Sequence, residues 1–349
     1  MGYLVCFTIP GILILSVLLG AMSGWPNVAI CAPLFVGYVI VPIIQQRWPH
    51  EIQTPPERAA SRTWTAYYRS ITLMALPAQV VMLAFATAAF SSGRYNVFGL
   101  MVLTLTTGLF SAMFAINISH ELIHRREWLD RTVGGLLLST VSFGSFKIVH
   151  LQVHHPYVGT PLDFATARRG QSIYGFWLQA LAGNFVEAFR LESRRLRRSG
   201  GSILSSELIP WTACTLLCLG ASMYFWGLPG ASFFLIQSLI AIMYLDLINY
   251  LQHYGLTREI TSSGRPEPMQ DHHSWTATMF LDDLLLLNLP RHAHHHSQPH
   301  QPYHLLKDSD DAPRYPYSYG VMTMMLLVPP LFQRVVHPCL DRFENSRPS

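Results

Sequence analysis

Six stretches of this chain, at residues 4–23, 28–44, 71–91, 97–118, 209–228 and 230–251, are almost wholly apolar. A helix needs about 20 such residues to cross the roughly 30 Å hydrocarbon core of a bilayer. Only helices and closed barrels satisfy the backbone in lipid, and runs of this length match helices. They predict an all-α integral membrane protein. Composition points the same way: 50% of the 349 residues are hydrophobic and 13% are charged, and mean hydropathy is +0.26. These values exclude disordered and water-soluble classes. Turns at Trp25-Pro26, Ser92 to Asn96 and Pro229-Gly230 join the runs into three hairpins. No basic segment precedes the first run and no small-residue cleavage site follows it, so it reads as a retained helix and not a signal peptide.

With six crossings, segments 45–70, 119–208 and 252–349 fall on one side. They hold every Lys and Arg except Arg94, including Arg47, Arg58, Arg62 and Arg69. The positive-inside rule puts them and both termini in the cytoplasm. Residues 133–149 and 318–333 are apolar but shorter or interrupted, the latter by Pro329-Pro330, and read as interface or re-entrant helices. Residues 1–349 read as one membrane-embedded domain. The net charge of +4, with Lys147 and Lys307 the only lysines, forms no basic stripe with interleaved aromatics, so nothing indicates nucleic acid. Cys6, Cys31, Cys214, Cys218 and Cys339 form no C-x-x-C pair, which argues against a disulfide framework or a cysteine metal module. Cys214 and Cys218 share a helix face, as small hydrophobes in a span do.

The 16 histidines sit almost entirely outside the apolar runs. His120-Glu121-Leu122-Ile123-His124 places two imidazoles at i and i+4, one helix face, where both reach one metal. Alone, H-E-x-x-H also reads as a zinc-protease motif with Glu121 as general base. His150 and His154 repeat the spacing, with His155 beside them, and His253 stands alone after the sixth run. His292-Ala293-His294-His295-His296 contains H-x-x-H-H. Singly, each box is compatible with a structural role or a metal scavenger. Together, on one face and each just after an apolar stretch, they predict a shared site. Eight or nine neutral imidazoles exceed the four ligands at which zinc closes. They match two first-row metals, and imidazole-rich sites with open positions suit iron and dioxygen chemistry.

These residues resemble the membrane-bound non-haem di-iron hydrocarbon hydroxylases, the alkane 1-monooxygenases and xylene monooxygenase hydroxylase subunits of the fatty acid desaturase superfamily. Ser119 to Arg126 is similar to the first box of that family. His154-His155 with Thr160-Pro161-Leu162-Asp163 resembles its second box and T-P-x-D continuation. Asn249 to Leu256 resembles the N-Y-x-x-H-Y-G signature that ordinary desaturases lack, and Leu289 to His296, followed by Tyr303, resembles the last box. The resemblance runs from about residue 115 onward and implies two iron ions held by His120, His124, His150, His154, His155, His253, His292, His295 and His296. His294 stands where alkane hydroxylases have Asp and is left out. Val149 and Gln252 replace their usual Glu, and Thr276 replaces an Asn; the region after the last box looks more like the alkane type, so the subfamily stays open. Glu121 and Asp163 are candidates to orient ligating imidazoles. His272 and His273 lie near the last box without ligand spacing, and His50, His300, His304 and His337 read as ordinary loop or interface histidines.

The resemblance implies a monooxygenase that uses O2 and two electrons to hydroxylate an unactivated C–H bond, at the terminal methyl of an n-alkane or alkylaromatic. Such a substrate enters from the lipid, into a pocket formed by the apolar faces of the third to sixth spans. The electrons come from a separate rubredoxin or ferredoxin-type protein with its reductase, since no cysteine-rich or flavin-binding segment is present. Arg190, Arg194, Arg195, Arg197 and Arg198 could dock such an acidic partner or contact anionic lipid. One rival is a fatty acyl desaturase or related lipid oxidase on the same irons. Another, from a different class, is a non-catalytic membrane metal-binding protein.

Overall fold

A computed structural model describes residues 2–47 and 66–346; His50, Arg58 and Arg62 lie outside the described residues. The described residues form helices and loops, with no strand among them and only two isolated bridges, Ile260–Pro266 and Thr276–Arg314. Among the described residues, five helices are long and apolar enough to cross a membrane: α1 (Gly2–Ser23), α2 (Pro26–Arg47), α3 (Ala66–Phe90), α4 (Val97–Ile123) and α8 (Leu208–His253). Shorter helices fill the connections. They are α5 (Trp128–Ser139), α6 (residues 146–157), α7 (Ile173–Ser199), α9 (Phe280–Leu285), α10 (His292–Ser297), α11 (Tyr319–Leu326) and α12 (Pro329–Ser346).

The fifth and sixth apolar runs merge in α8, a helix of 46 residues broken at Gly227, whose φ of 64° and ψ of −157° are non-helical. That region belongs essentially to glycine. Thr215 Oγ1 donates to Ser139 O and Gln237 Nε2 donates to the adjacent Thr140 O, both at 3.3 Å. Donors 22 positions apart would be about 33 Å apart on a straight helix. The chain therefore doubles back at Gly227, and the two halves of α8 lie side by side.

The most extensive helix pairing is α4 with α8. Gly108 permits it: a Cβ there would lie 2.5 Å from Ile240 Cγ2 and 2.9 Å from Gln237 O. Small residues at such crossings let backbones approach where lipid offers no hydrophobic drive. Three threonines within α4 are satisfied locally, Thr104, Thr106 and Thr107 each donating to the carbonyl four residues earlier. Val97, Phe98, Met101 and Leu105 lie exposed along α4, an apolar surface suited to lipid and costly in water. One core joins α4 and the second half of α8 to α11 and α12; another joins α1, α3 and α4. The histidines lie where α4 and α8 end.

The two shorter apolar segments each divide. Residues 133–149, expected as an interface or re-entrant helix, break in the middle: α5 ends at Ser139, Ser142 turns the chain with φ of 56°, and α6 starts at Phe146. Residues 318–333 break where the prolines stand: α11 ends at Leu326, and Pro329 and Pro330 open α12, because proline in a first turn forfeits no intrahelical bond.

Candidate metal centre

Nine imidazoles converge in two adjoining groups. His120, His124, His150, His155 and His295 form one, and His154, His253, His292 and His296 the other, with potential ligand atoms in each group within 4.8 Å of one another. Rings of the two groups touch, His155 stacking on His296 with centroids 4.5 Å apart. His120 and His124 come from the end of α4, His253 from the end of α8, and His292, His295 and His296 from α10.

α6 serves both groups because it is not a regular helix. Residues His150–His154 form a π-helix, which adds one residue to the turn. His150 and His154, despite their i, i+4 spacing in the sequence, therefore fall in different groups. His150 Nε2 instead meets His155 Nε2, five residues on, at 3.0 Å, and His154 swings into the other group. α10 splits similarly while keeping α-helical spacing: His292 and His296 meet Nε2 to Nε2 at 2.9 Å, and His295 meets His155 at 3.3 Å.

Whether these residues suit metal can be tested on their nitrogens. His150 Nε2 faces both His124 Nε2 and His155 Nε2 at 3.0 Å, and His292 Nε2 faces both His253 at 3.3 Å and His296 at 2.9 Å. A neutral imidazole has one N–H and one lone pair, so such chains cannot all be hydrogen bonds. A cation between them relieves the clash. Bonds of about 2.1 Å put neighbouring ligand atoms about 3.0–3.4 Å apart, which matches. Burial, reinforced by neighbouring histidines, holds His124, His150, His155, His292, His295 and His296 well below the usual imidazole range. They are therefore neutral near pH 7, the form that binds metal.

Asp163 and Glu121 part company. Asp163 Oδ2 accepts from His154 Nδ1 at 3.0 Å and from Thr166 Oγ1 at 2.7 Å, while its Oδ1 accepts from Ala165 N. That fixes the tautomer and leaves Nε2 free. Glu121 is held elsewhere: its Oε1 accepts from Arg125 Nη2 at 2.5 Å and Tyr303 N at 3.2 Å, tying the loop after α10 to α4. α10 is set by Arg291, whose Nε and Nη2 donate to buried Asp283 Oδ2 and whose Nη1 donates to Leu306 O. Thr276 Oγ1 donates to Pro290 O just before α10.

The other histidines stand apart. His294 lies outside both groups, its Nδ1 accepting from Lys307 N. His273 and His272 form a third cluster with Glu267. There His273 Nδ1 accepts from Gln270 N, so Nε2 carries the proton and donates to Glu267; this ring is bound up in hydrogen bonds. His300 lies against His124 O, His304 stacks on Tyr68, and His337 faces Tyr254 Oη. Of the basic run, Arg190 pairs with Glu187 and Arg195 with Glu192, while Arg194, Arg197 and Arg198 are exposed. An enclosed apolar cavity opens beside His120, His150 and His292 between α4 and α8. Phe110, Met113, Phe146, Leu245 and Ile248 line it, with Gly37 and Tyr38 from α2. Asp246, in α8 close to His150 and His154, escaped the sequence reading; its signal was a lone acidic residue inside an apolar run.

Comparison with known proteins bears on this centre directly. The fatty acid desaturase family profile matches residues 96–324. The chain is 36% identical over 326 residues to alkane 1-monooxygenase 2 of Pseudomonas aeruginosa, covering 90% of this chain and 85% of that protein. The chain belongs to the fatty acid desaturase family, among the alkane 1-monooxygenases. It is similar as well to alkane 1-monooxygenase 2 of Alcanivorax borkumensis, at 33% over 308 residues, 87% of this chain and 81% of that one. It is 33% identical over 245 residues to the xylene/toluene monooxygenase hydroxylase component XylM of Pseudomonas putida, 69% of this chain and 64% of that one. As a member of this family the chain is an oxidoreductase of the monooxygenase type and an integral membrane protein.

Proposed function

We propose that this monooxygenase hydroxylates the terminal methyl of an n-alkane or alkylaromatic at a pair of non-haem iron ions. One iron is held by His120, His124, His150, His155 and His295, and the other by His154, His253, His292 and His296. The observation that carries the reading is nine buried or half-buried imidazoles gathered in two adjoining groups, three of them bordering an apolar cavity. The relatives' names, alkane 1-monooxygenase and xylene/toluene monooxygenase, give it its substrate class.

When bound, the irons supply the dioxygen reduction and C–H oxidation that no side chain can perform. The chain does the rest. Phe110, Met113, Leu245 and Ile248 exclude water and pack the hydrocarbon, and His120, His150 and His292 border the cavity end where its methyl group reacts. Asp163 holds the His154 proton at Nδ1. The balance is one O2, two electrons and two protons consumed per alcohol and water formed. The electrons arrive from a separate rubredoxin or ferredoxin-type carrier.

The fold-back of α8 at Gly227 supports six crossings in one domain. That count, with the positive charge in the connections, supports our reading of a site on the cytoplasmic face of a bacterial inner membrane. The test feeds cells expressing the chain and a redox partner with n-alkanes, alkylaromatics and fatty acids under 18O2. Mass spectrometry is expected to find a primary alcohol carrying one labelled oxygen. An unlabelled product with a new double bond would establish the desaturase reading instead, and metal binding without substrate-dependent oxygen uptake would mean a binding protein.

A further inference from the structure

We infer that Asp246 is a positioning residue for the first imidazole group, backing His150 as Asp163 backs His154. The inference rests on the two-metal reading above. Asp246 is the only charged side chain in α8, and a carboxyl group inside a membrane helix persists only where it has a partner or a task. It is 4% exposed, and its Oδ2 has no hydrogen-bond partner within the protein. His150 Nδ1, the ring nitrogen turned away from the Nε2 cluster, is likewise buried and unpartnered.

Both residues line one small cavity, together with His154, Asn184 and Asn249. Asn184 Oδ1 is committed to Ser145 Oγ at 2.6 Å, and Asp246 is the only carboxylate in the lining. Metal-bound imidazoles nearly always donate their second N–H to a carboxylate, carbonyl or water. A water molecule in this cavity, accepting a hydrogen bond from His150 Nδ1–H and donating one to Asp246 Oδ2, satisfies both orphaned atoms. His150 is then fixed with its Nε2 lone pair toward the metal. Each imidazole group thus receives one carboxylate-backed histidine, directly through Asp163 and across water through Asp246.

The full chain in lipid nanodiscs is loaded anaerobically with Fe(II) and titrated with a chelator, and retained iron per chain is read by mass spectrometry. The wild type is expected to retain two irons. Asp246→Leu, similar in volume but without an acceptor, is expected to release one of them at about 10–100-fold lower chelator concentration. Asp246→Asn, which keeps an acceptor oxygen, should fall in between. Wild-type retention in both variants, or joint release of both irons, overturns the assignment. If Asp246→Leu does not insert, Asp246→Asn decides: selective release of one iron supports the proposal, and unchanged retention ends it. A wild type that retains no iron would refute the two-metal reading itself.

Discussion

Asp163 reaches His154 while Glu121 reaches only Arg125 and Tyr303, and two variants separate these roles. Asp163→Asn is expected to lower iron affinity or turnover about 10–100-fold, with the thermal unfolding midpoint little changed. Glu121→Gln removes the carboxylate from its ion pair with Arg125, and breaking a buried pair costs about 3–5 kcal/mol. It should therefore lower the unfolding midpoint first, with iron retention at wild-type values in the protein that remains folded. At this scale the sequence was informative about which imidazoles converge, because an imidazole in a box has few other uses so close to a span. It was poor on the acidic residues: a glutamate between two ligands looks like their partner until Arg125, one turn on, is seen to hold it. Asp246 was overlooked because it resembles part of a hydrophobic helix in every residue but itself.

The elements were legible where hydropathy alone decides. Val97–Ile123 and its fellows stand out because lipid accepts nothing else of that length. The π-turn at His150–His154 was not legible, since nothing in His-Leu-Gln-Val-His-His distinguishes a bond to the fifth residue from one to the fourth. Its consequence is testable. Deleting Leu151 removes the extra residue, restores regular helical spacing, and rotates His150 away from His154 and His155. Retained iron is expected to fall below two per chain and hydroxylation to vanish, while the chain still inserts. Gly227 is a second element-scale feature whose backbone demand no neighbouring residue reveals. Gly227→Ala forces a side chain into a glycine-only conformation at a cost of about 1–3 kcal/mol. A lower unfolding midpoint is the expected readout, and an unchanged one would mean that the turn relaxes freely.

For the molecule as a whole, α4 and α8 form both the wall of the apolar cavity and the posts that carry His120 and His253. Ala112 lines the cavity eight residues before His120, about 12 Å up the helix. Ala112→Phe should shorten the space available, so that in competition between alkanes of different length the products shift toward the shorter one. Equal loss for all lengths would place Ala112 at the reacting end instead. α10 has a consequence in time as well as in space. It supplies imidazoles to both groups, and it follows all five long apolar helices among the described residues. A growing polypeptide therefore cannot complete either group until those helices have left the ribosome. Any metal that needs a complete group is a late arrival, and every molecule first stands in the membrane with both groups unfinished.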